Sequence, residues 1–454
     1  KKLLKELTNV SSKFRVNINN YNDYILVNDD QLDGCSDRYV NSLEQIKDKD
    51  NNTLYKISLD YPESGPYMGD AKCREKRKEL ADKLAMKGGK SNLKVLGNMV
   101  ELRLKVAKLL GYKNYVDYKV EDRMAKNSTN VLKFVNDLII GLTPLANEDL
   151  KELRKFATTE LHIKQLEYYD LGYAMKELGK KMYKLDNETL RTYFPTEHVL
   201  STMFDMFGKL FGFKVKEING VELWHKDAKA YDVISTDDGD KKNKVVANLI
   251  LDLYPRPNKY GHAAAFDTKY SGTKVVTLLC NFPKATPSTP SLMSLGEVET
   301  IFHEFGHAMH FMLSDTKYKS HNGFHVAWDF VEAPSQIMEE WVMDAKVLKI
   351  LGKNYKTGKR LDDNTIQNII ASKKLMQSYG YMRQLIQTKL DLDIHLGRAG
   401  DNYTEYYRKM MKKYFKIDIS PRSLFPAGFG HMDGYDSGYY SYLWAEVYAA
   451  EWDK

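Results

Sequence analysis

The stretch from Ser294 to Met312 constrains this chain more than any other. It reads as a buried helix carrying groups that a buried helix does not carry without a reason. Pro283, Pro287 and Pro290 stiffen the loop before it. Ser294 and Glu297 follow at the spacing of a capping box, which marks a helix start. Val298, Ile301, Phe302, Phe305, Met309 and Met312 then make the segment largely apolar. Yet His303, Glu304 and His307 sit within it, and burying polar or charged groups is costly unless each finds a partner.

His303 and His307 are four residues apart, so they share one helical face. Two imidazoles so placed can bind one Zn²⁺ at about 2.0–2.1 Å. Glu304, beside the first, is close enough to reach a metal-bound water but is directed off the ligand face. That is the chemistry of the His-Glu-x-x-His pattern in metallopeptidases. A catalytic zinc takes a third protein ligand and leaves a fourth position to water. His310 stands only three residues after His307, and no histidine follows six after it. Glu332 is the stronger candidate, within Trp328 to Gln336. Asp329 reads as the cap of a helix that tolerates Pro334 in its first turn. A second helix antiparallel to the first brings Glu332 to the metal. His321 and His325, in the intervening loop, are rival ligands. Glu339 lies seven residues after Glu332 on the same face. It either accepts a hydrogen bond from a ligand histidine or belongs to a solvated surface.

The rest of the chain frames that helix. Its 454 residues suffice for a large core. The 68 basic and 61 acidic side chains are mixed along the sequence, giving a net charge of +7. This describes a solvated surface rather than a nucleic-acid footprint. No run approaches the roughly 20 apolar residues of a membrane helix. Cys35, Cys73 and Cys280 are too few and too scattered for a disulfide framework, which points to a reducing, cytoplasmic setting. The chain starts at Lys1 rather than at methionine, so a lost targeting peptide and an organellar address stay open.

Residues 1 to 70 read as a helical start, Leu3 to Phe14, followed by polar turns. Residues 71 to 115 read as two long helices, with Ser91 and Asn92 as an N-cap. Further helices are expected over Val131 to Phe156, Leu171 to Met182 and Val199 to Phe211. Strands are expected over Val221 to Trp224, Ala230 to Ile234, Val245 to Tyr254, Ala263 to Asp267 and Val275 to Leu279. The expected fold is mainly α with one small embedded sheet. It divides into a helical lobe, residues 1–200, and a catalytic region, residues 201–454. Near the C-terminus, Tyr435, Tyr439 and Tyr442 fall on one face if that segment is helical. Phenols can donate to an oxyanion. In a chain with 31 tyrosines, a packing stripe is the alternative.

Four stretches together resemble the thimet oligopeptidase, oligopeptidase A and peptidyl-dipeptidase group of zinc peptidases. They are EVETIFHEFGHAMH (297–310), DFVEAPSQ (329–336), LDLYPRPNKYGHAAAF (251–266) and FPAGFGHMDGYDSGYYSYLW (425–444). Members of the group look longer at both ends. The resemblance implies one zinc per chain held by His303, His307 and Glu332, with Glu304 as catalytic base. It implies oxyanion and substrate contacts from His431, Tyr439 and Tyr442. In one departure, His431 and the Gly434-Tyr435 pair stand one residue closer than in many members. The strand around Gly261 to Phe266 would offer an edge to an extended peptide, with Gly261, His262, Ala263 and Ala264 as substrate contacts and Tyr435 a further one. The implied fold is two-lobed, with a deep channel that admits short peptides. The implied protein is a monomer that acts on no nucleic acid or membrane. Endopeptidase action is the expected activity. Release of C-terminal dipeptides, or an inactive peptide-binding homologue, are the alternatives.

Overall fold

The computed structural model describes residues 1–239, 241–256, 259–268 and 272–452. The chain forms two compact units. One comprises Lys1–Met182 with Lys374–Tyr440, the other Tyr183–Lys373 with Ser441–Lys454. The expected division at residue 200 was a single linear cut, whereas these units exchange chain three times. Both are mainly helical, and each carries one small sheet.

In the first unit, helix Lys2–Asn19 packs on helix Gly89–Leu109, and helix Ser128–Thr159 packs on helix Gln377–His395. The expected cap at Ser91 and Asn92 is corrected. The helix opens two residues earlier at Gly89, after Gly88 turns the chain with φ +85°. Asn92 is buried inside it as a tertiary tie. Its amide donates to the carbonyls of Phe14 (3.2 Å) and Ala427 (2.8 Å) and accepts from Asn17 (3.0 Å).

The polar turns expected before residue 70 in fact enclose an antiparallel sheet. Its strands are β1 (Tyr24–Val27), β2 (Glu44–Lys47) and β3 (Thr53–Ser58), in the order β1-β3-β2. Asp48 makes the β2–β3 turn, its carboxylate accepting from the backbone of Asp50 and Asn52. Asn51 supplies the left-handed residue at φ +66°.

The second unit is built on a five-stranded sheet. It comprises β4 (Phe213–Ile218), β5 (Lys229–Ser235), β6 (Val245–Asp252), β7 (Ala264–Thr268) and β8 (Lys274–Leu279), in the order β4-β5-β6-β8-β7. Only β6 and β8 run parallel. Four of the five strands match the sequence reading. The expected strand Val221 to Trp224 is not one: that segment is irregular, and the Trp224 indole is tied to Asp252 (2.8 Å) instead of to a ladder. The missed strand, β4, starts where Gly212 ends helix Thr196–Phe211 at φ +69°.

Val233, Ala247, Leu249, Leu251, Val276 and Leu278 form the buried side of this sheet. They belong to the same core as Val298, Ile301, Phe302, Phe305 and Met309 of helix Leu295–Leu313. Phe302 and Phe305 are fully buried, each contributing on the order of 1.5–3 kcal/mol of hydrophobic stabilisation. That burial fixes the rotation of the helix, and so fixes where its histidines lie. Among the described residues no helix is long and apolar enough to cross a membrane.

Candidate metal centre

Helix Leu295–Leu313 opens as its sequence implies. Ser294 accepts from the Glu297 amide (3.2 Å), and the Glu297 carboxylate accepts from the Ser294 amide (2.7 Å). Arg191 holds the same carboxylate at 2.6 Å. Two turns on, the imidazoles of His303 and His307 meet nearly edge to face, with centroids 4.8 Å apart.

The second helix, Ala333–Val342, packs against the first and sets Glu332 at its N-cap. The cap is Glu332 itself, not Asp329, which lies fully buried before it; Pro334 falls in the first turn as expected. The close approach depends on Gly306. A Cβ there would stand 2.7 Å from the Cα of Ser335 and 2.8 Å from the carbonyl oxygen of Pro334.

Three side chains converge. One Glu332 oxygen, Oε2, lies 3.2 Å from His303 Nε2 and 3.0 Å from His307 Nε2. The three form a candidate metal-binding group. His321 and His325 do not join it; His321 is exposed, and His325 faces Asp267 at 3.6 Å.

Zinc suits this donor set. Tetrahedral ligands at 2.0–2.1 Å stand about 3.3 Å from one another, close to the separations between the imidazole nitrogens and Glu332. Protonation makes the same point. His303 Nδ1 is 2.5 Å from Glu339 Oε1, and a carboxylate only accepts, so Nδ1 carries a hydrogen. In the neutral ring Nε2 is then a lone pair aimed at another carboxylate oxygen, a contact that needs a cation or a second proton between them.

The charges of these side chains are mutually supporting. Burial opposes a charged His303, but its bonds to Glu332 and Glu339 outweigh that and raise its pKa well above the ordinary value. Burial likewise opposes an ionised Glu332, yet charge on His307, with hydrogen bonds from both histidines, brings it well below.

Two further side chains stand beside these ligands. Ser335 is fully buried and donates to Glu332 Oε2 at 3.1 Å. Glu304 is buried, and its Oε2 has no hydrogen-bond partner among the described residues. Burial raises its pKa, partly offset by positive charge at His303 and His307. Of the segment singled out as a strand edge, Ala264, Ala265 and Phe266 lie in β7, the terminal strand of the sheet. Gly261, His262 and Ala263 precede that strand, and Asn281 donates to the carbonyls of Tyr260 (3.0 Å) and His262 (3.1 Å). Pro257 and Asn258 lie outside the described residues.

The aromatic residues near the C-terminus do not form one helical face. Gly434 at φ +97° and Ser437 at φ +53° turn the chain, and the helix begins only at Ser441. His431, Tyr435 and Tyr439 cluster within the first unit, the His431 ring centroid lying 4.7 Å from that of Tyr439 and 5.5 Å from that of Tyr435. Burial pushes the Tyr439 pKa up to about 12, so its phenol stays protonated as a donor. Tyr442 belongs to the second unit, with the metal group. Its carbonyl accepts from the Gln336 side chain of helix Ala333–Val342 at 2.9 Å. Sequence reasoning missed Ser335 and Gly306. Both stand within the diagnostic stretches, but nothing in their spacing announced their contacts.

A mainly helical frame that brings two imidazoles and one carboxylate oxygen to a point, with a second carboxylate buried alongside, belongs to the class of helix-borne metallopeptidase sites. The description "Peptidase family M3" matches residues 67–453, and the chain belongs to that family. It is 34% identical to saccharolysin of Saccharomyces cerevisiae over 99% of this chain and 67% of the relative. It is 32% identical to a thimet-like oligopeptidase of Dictyostelium discoideum over 99% and 69%. It is also 32% identical to oligopeptidase A of Escherichia coli, over 87% and 61%. The chain thus spans about two thirds of the lengths of these relatives. An X-ray structure assigned to oligoendopeptidase F aligns with 99% of this chain and 66% of its own at a TM-score of 0.58 and 15% identity, a likeness of fold.

Proposed function

We propose that the chain is a zinc-dependent oligopeptidase that hydrolyses peptide bonds within short peptides. The observation that carries this is the convergence of His303 Nε2 and His307 Nε2 on a single Glu332 oxygen, with Glu339 fixing the far side of His303. Relatives named oligopeptidases support the substrate class.

Zinc, when bound by His303, His307 and Glu332, lowers the pKa of a water and polarises the scissile carbonyl. Glu304 does the proton work. Its buried Oε2 takes a proton from the attacking water and passes it to the departing amine. Glu339 keeps His303 in the tautomer whose Nε2 faces the metal. The phenol of Tyr442 donates to the developing oxyanion, that of Tyr439 does so on exchanging its bond to Gln387 for the substrate, and His431 assists. The strand β7 receives the substrate backbone as an added strand, which gives main-chain recognition with little side-chain preference. Gly261 to Ala263 and Tyr435 contribute further contacts.

The test is a digest of mixed-length peptides by the zinc-loaded protein, read by mass spectrometry, with elemental analysis of the same sample. Internal cleavage of peptides about a dozen residues long, one zinc per chain, and little action on intact casein are the expected results. Successive loss of C-terminal dipeptides alone would assign peptidyl-dipeptidase action instead. Active protein without a stoichiometric transition metal would overturn the proposal.

A further inference from the structure

The first unit contains a buried polar network that the proposed chemistry leaves unused. Gln387, Asp391 and His395 are spaced four apart along helix Gln377–His395, so they share one face. Asp391 is almost completely buried. Its carboxylate accepts three successive backbone N–H groups, from Ser437 (2.9 Å), Gly438 (3.1 Å) and Tyr439 (3.2 Å). Such a run of amides around a left-handed residue forms an anion-binding concavity, and Ser437 is that residue at φ +53°. Here the anion is built into the chain.

The rest of the network holds this pair in place. His395 Nδ1 lies 3.0 Å from Asp391 Oδ1, and its Nε2 accepts from the guanidinium of Arg103 at 3.1 Å. Arg103 also donates to the carbonyl of Met432 (2.7 Å), and Arg123 to the carbonyl of Ser437 (2.8 Å). One turn before Asp391, Gln387 Oε1 accepts the Tyr439 hydroxyl at 2.9 Å. The helix therefore grips Tyr439 at both ends: backbone through Asp391, phenol through Gln387.

We infer that Asp391 is a positioning residue for the reaction, holding the Ser437–Tyr439 turn so that the Tyr439 phenol is presented in one orientation. The inference rests on the reading of Tyr439 as an oxyanion donor. Three consecutive amides are aimed at one carboxylate. That arrangement fixes the φ and ψ angles leading into Tyr439 and thus the direction of its side chain. Misplacing a catalytic group by about 1 Å can cost on the order of 10²-fold in rate.

The test is a double-mutant cycle on the zinc-loaded protein. Asp391→Asn is nearly isosteric but exchanges one acceptor oxygen for an N–H donor, so at least one of the three amides meets a donor. It should lower kcat by about 10–100-fold, with KM changed less than about threefold and zinc content equal to the parent. Asp391→Glu, which keeps a carboxylate, should retain more kcat than Asp391→Asn. In a Tyr439→Phe background, Asp391→Asn should cost little more, because both changes remove one contribution.

If Tyr439→Phe alone leaves kcat at the parent value, the reading of Tyr439 fails and this inference falls with it. If Tyr439→Phe lowers kcat but the Asp391 losses multiply independently, the Tyr439 reading survives and the inference is overturned. Parental kcat in Asp391→Asn overturns it as well. So does failure of both Asp391 variants to give folded, zinc-loaded protein, since the network would then be purely structural.

Discussion

Replacing Gly306 by alanine tests whether the metal centre depends on how closely two helices approach. The new Cβ would lie 2.7 Å from the Cα of Ser335 and 2.8 Å from the carbonyl oxygen of Pro334. Both obstacles are backbone, so no side chain can swing aside. Carbon contacts are comfortable at about 3.5–4.0 Å, so the start of helix Ala333–Val342 must retreat by roughly 1 Å. Such overpacking costs about 1–3 kcal/mol. Alanine returns about 1 kcal/mol of helix propensity, leaving a net destabilisation of roughly 0–2 kcal/mol. The site has far less tolerance, because ligand distances are held within about ±0.2 Å. Glu332 immediately precedes the displaced turn, so zinc affinity should fall at least 10–100-fold while the protein still folds. Zinc affinity is read by competition with a chelator, and thermal unfolding in excess zinc reads the fold. Gly296→Ala is the control: it lies on the same helix, and a Cβ there meets nothing within 4 Å. A Gly306→Ala variant that binds zinc like the parent and melts like Gly296→Ala would refute the reasoning.

Glu304→Gln should keep stoichiometric zinc and lose about 10²–10⁴-fold in kcat, because a neutral amide cannot take the water's proton; elemental analysis with steady-state kinetics checks this. Glu339→Gln, which replaces the carboxylate facing His303 Nδ1, should weaken zinc binding about 10–100-fold in a chelator competition. In the zinc-free protein, the Glu299 carboxyl is pushed up to about 7, first by burial and then by the charge of Glu339. A raised carboxyl pKa contributes stability that is fully present below its unfolded value of 4.5 and lost as pH rises through about 7. Glu299→Gln should therefore melt above the parent at pH 8 and close to it at pH 4.5, as followed by thermal unfolding after chelation.

What the sequence made legible was local and periodic. The capping box, the four-residue step from His303 to His307, and the apolar face of Val298 to Met312 all follow from helix geometry and survive in the fold. Strands with clear β-branched runs, such as Val245–Asp252, were equally visible. Failures came where tertiary contacts overrode local signals. Ser91 and Asn92 look like a cap, but Asn92 serves a buried tie to Phe14 and Ala427. The Asp- and Asn-rich segment before residue 70 looked like turns alone, because its strands are short and only partly buried. Asp391 was invisible for a different reason: its partners are amides 46 to 48 residues away, and backbone donors leave no trace in a sequence.

The same distinction explains why Glu332, rather than another of the acidic residues between the two helices, can serve as the third ligand. A side chain at an N-cap is ordinarily occupied, because it accepts from the amide of the second or third helical residue. Glu332 stands at that position with helical angles, φ −83° and ψ −14°, and makes no such bond. The second helical residue is Pro334, which has no N–H to offer. The third is Ser335, whose single hydroxyl hydrogen is shared between the Glu332 carbonyl (2.8 Å) and its Oε2 (3.1 Å). The helix start thus removes one competitor for the carboxylate and adds a hydroxyl that supports it. The Ala-Pro-Ser that follows Glu332 directs its oxygen away from its own helix and toward the two histidines across the Gly306 contact.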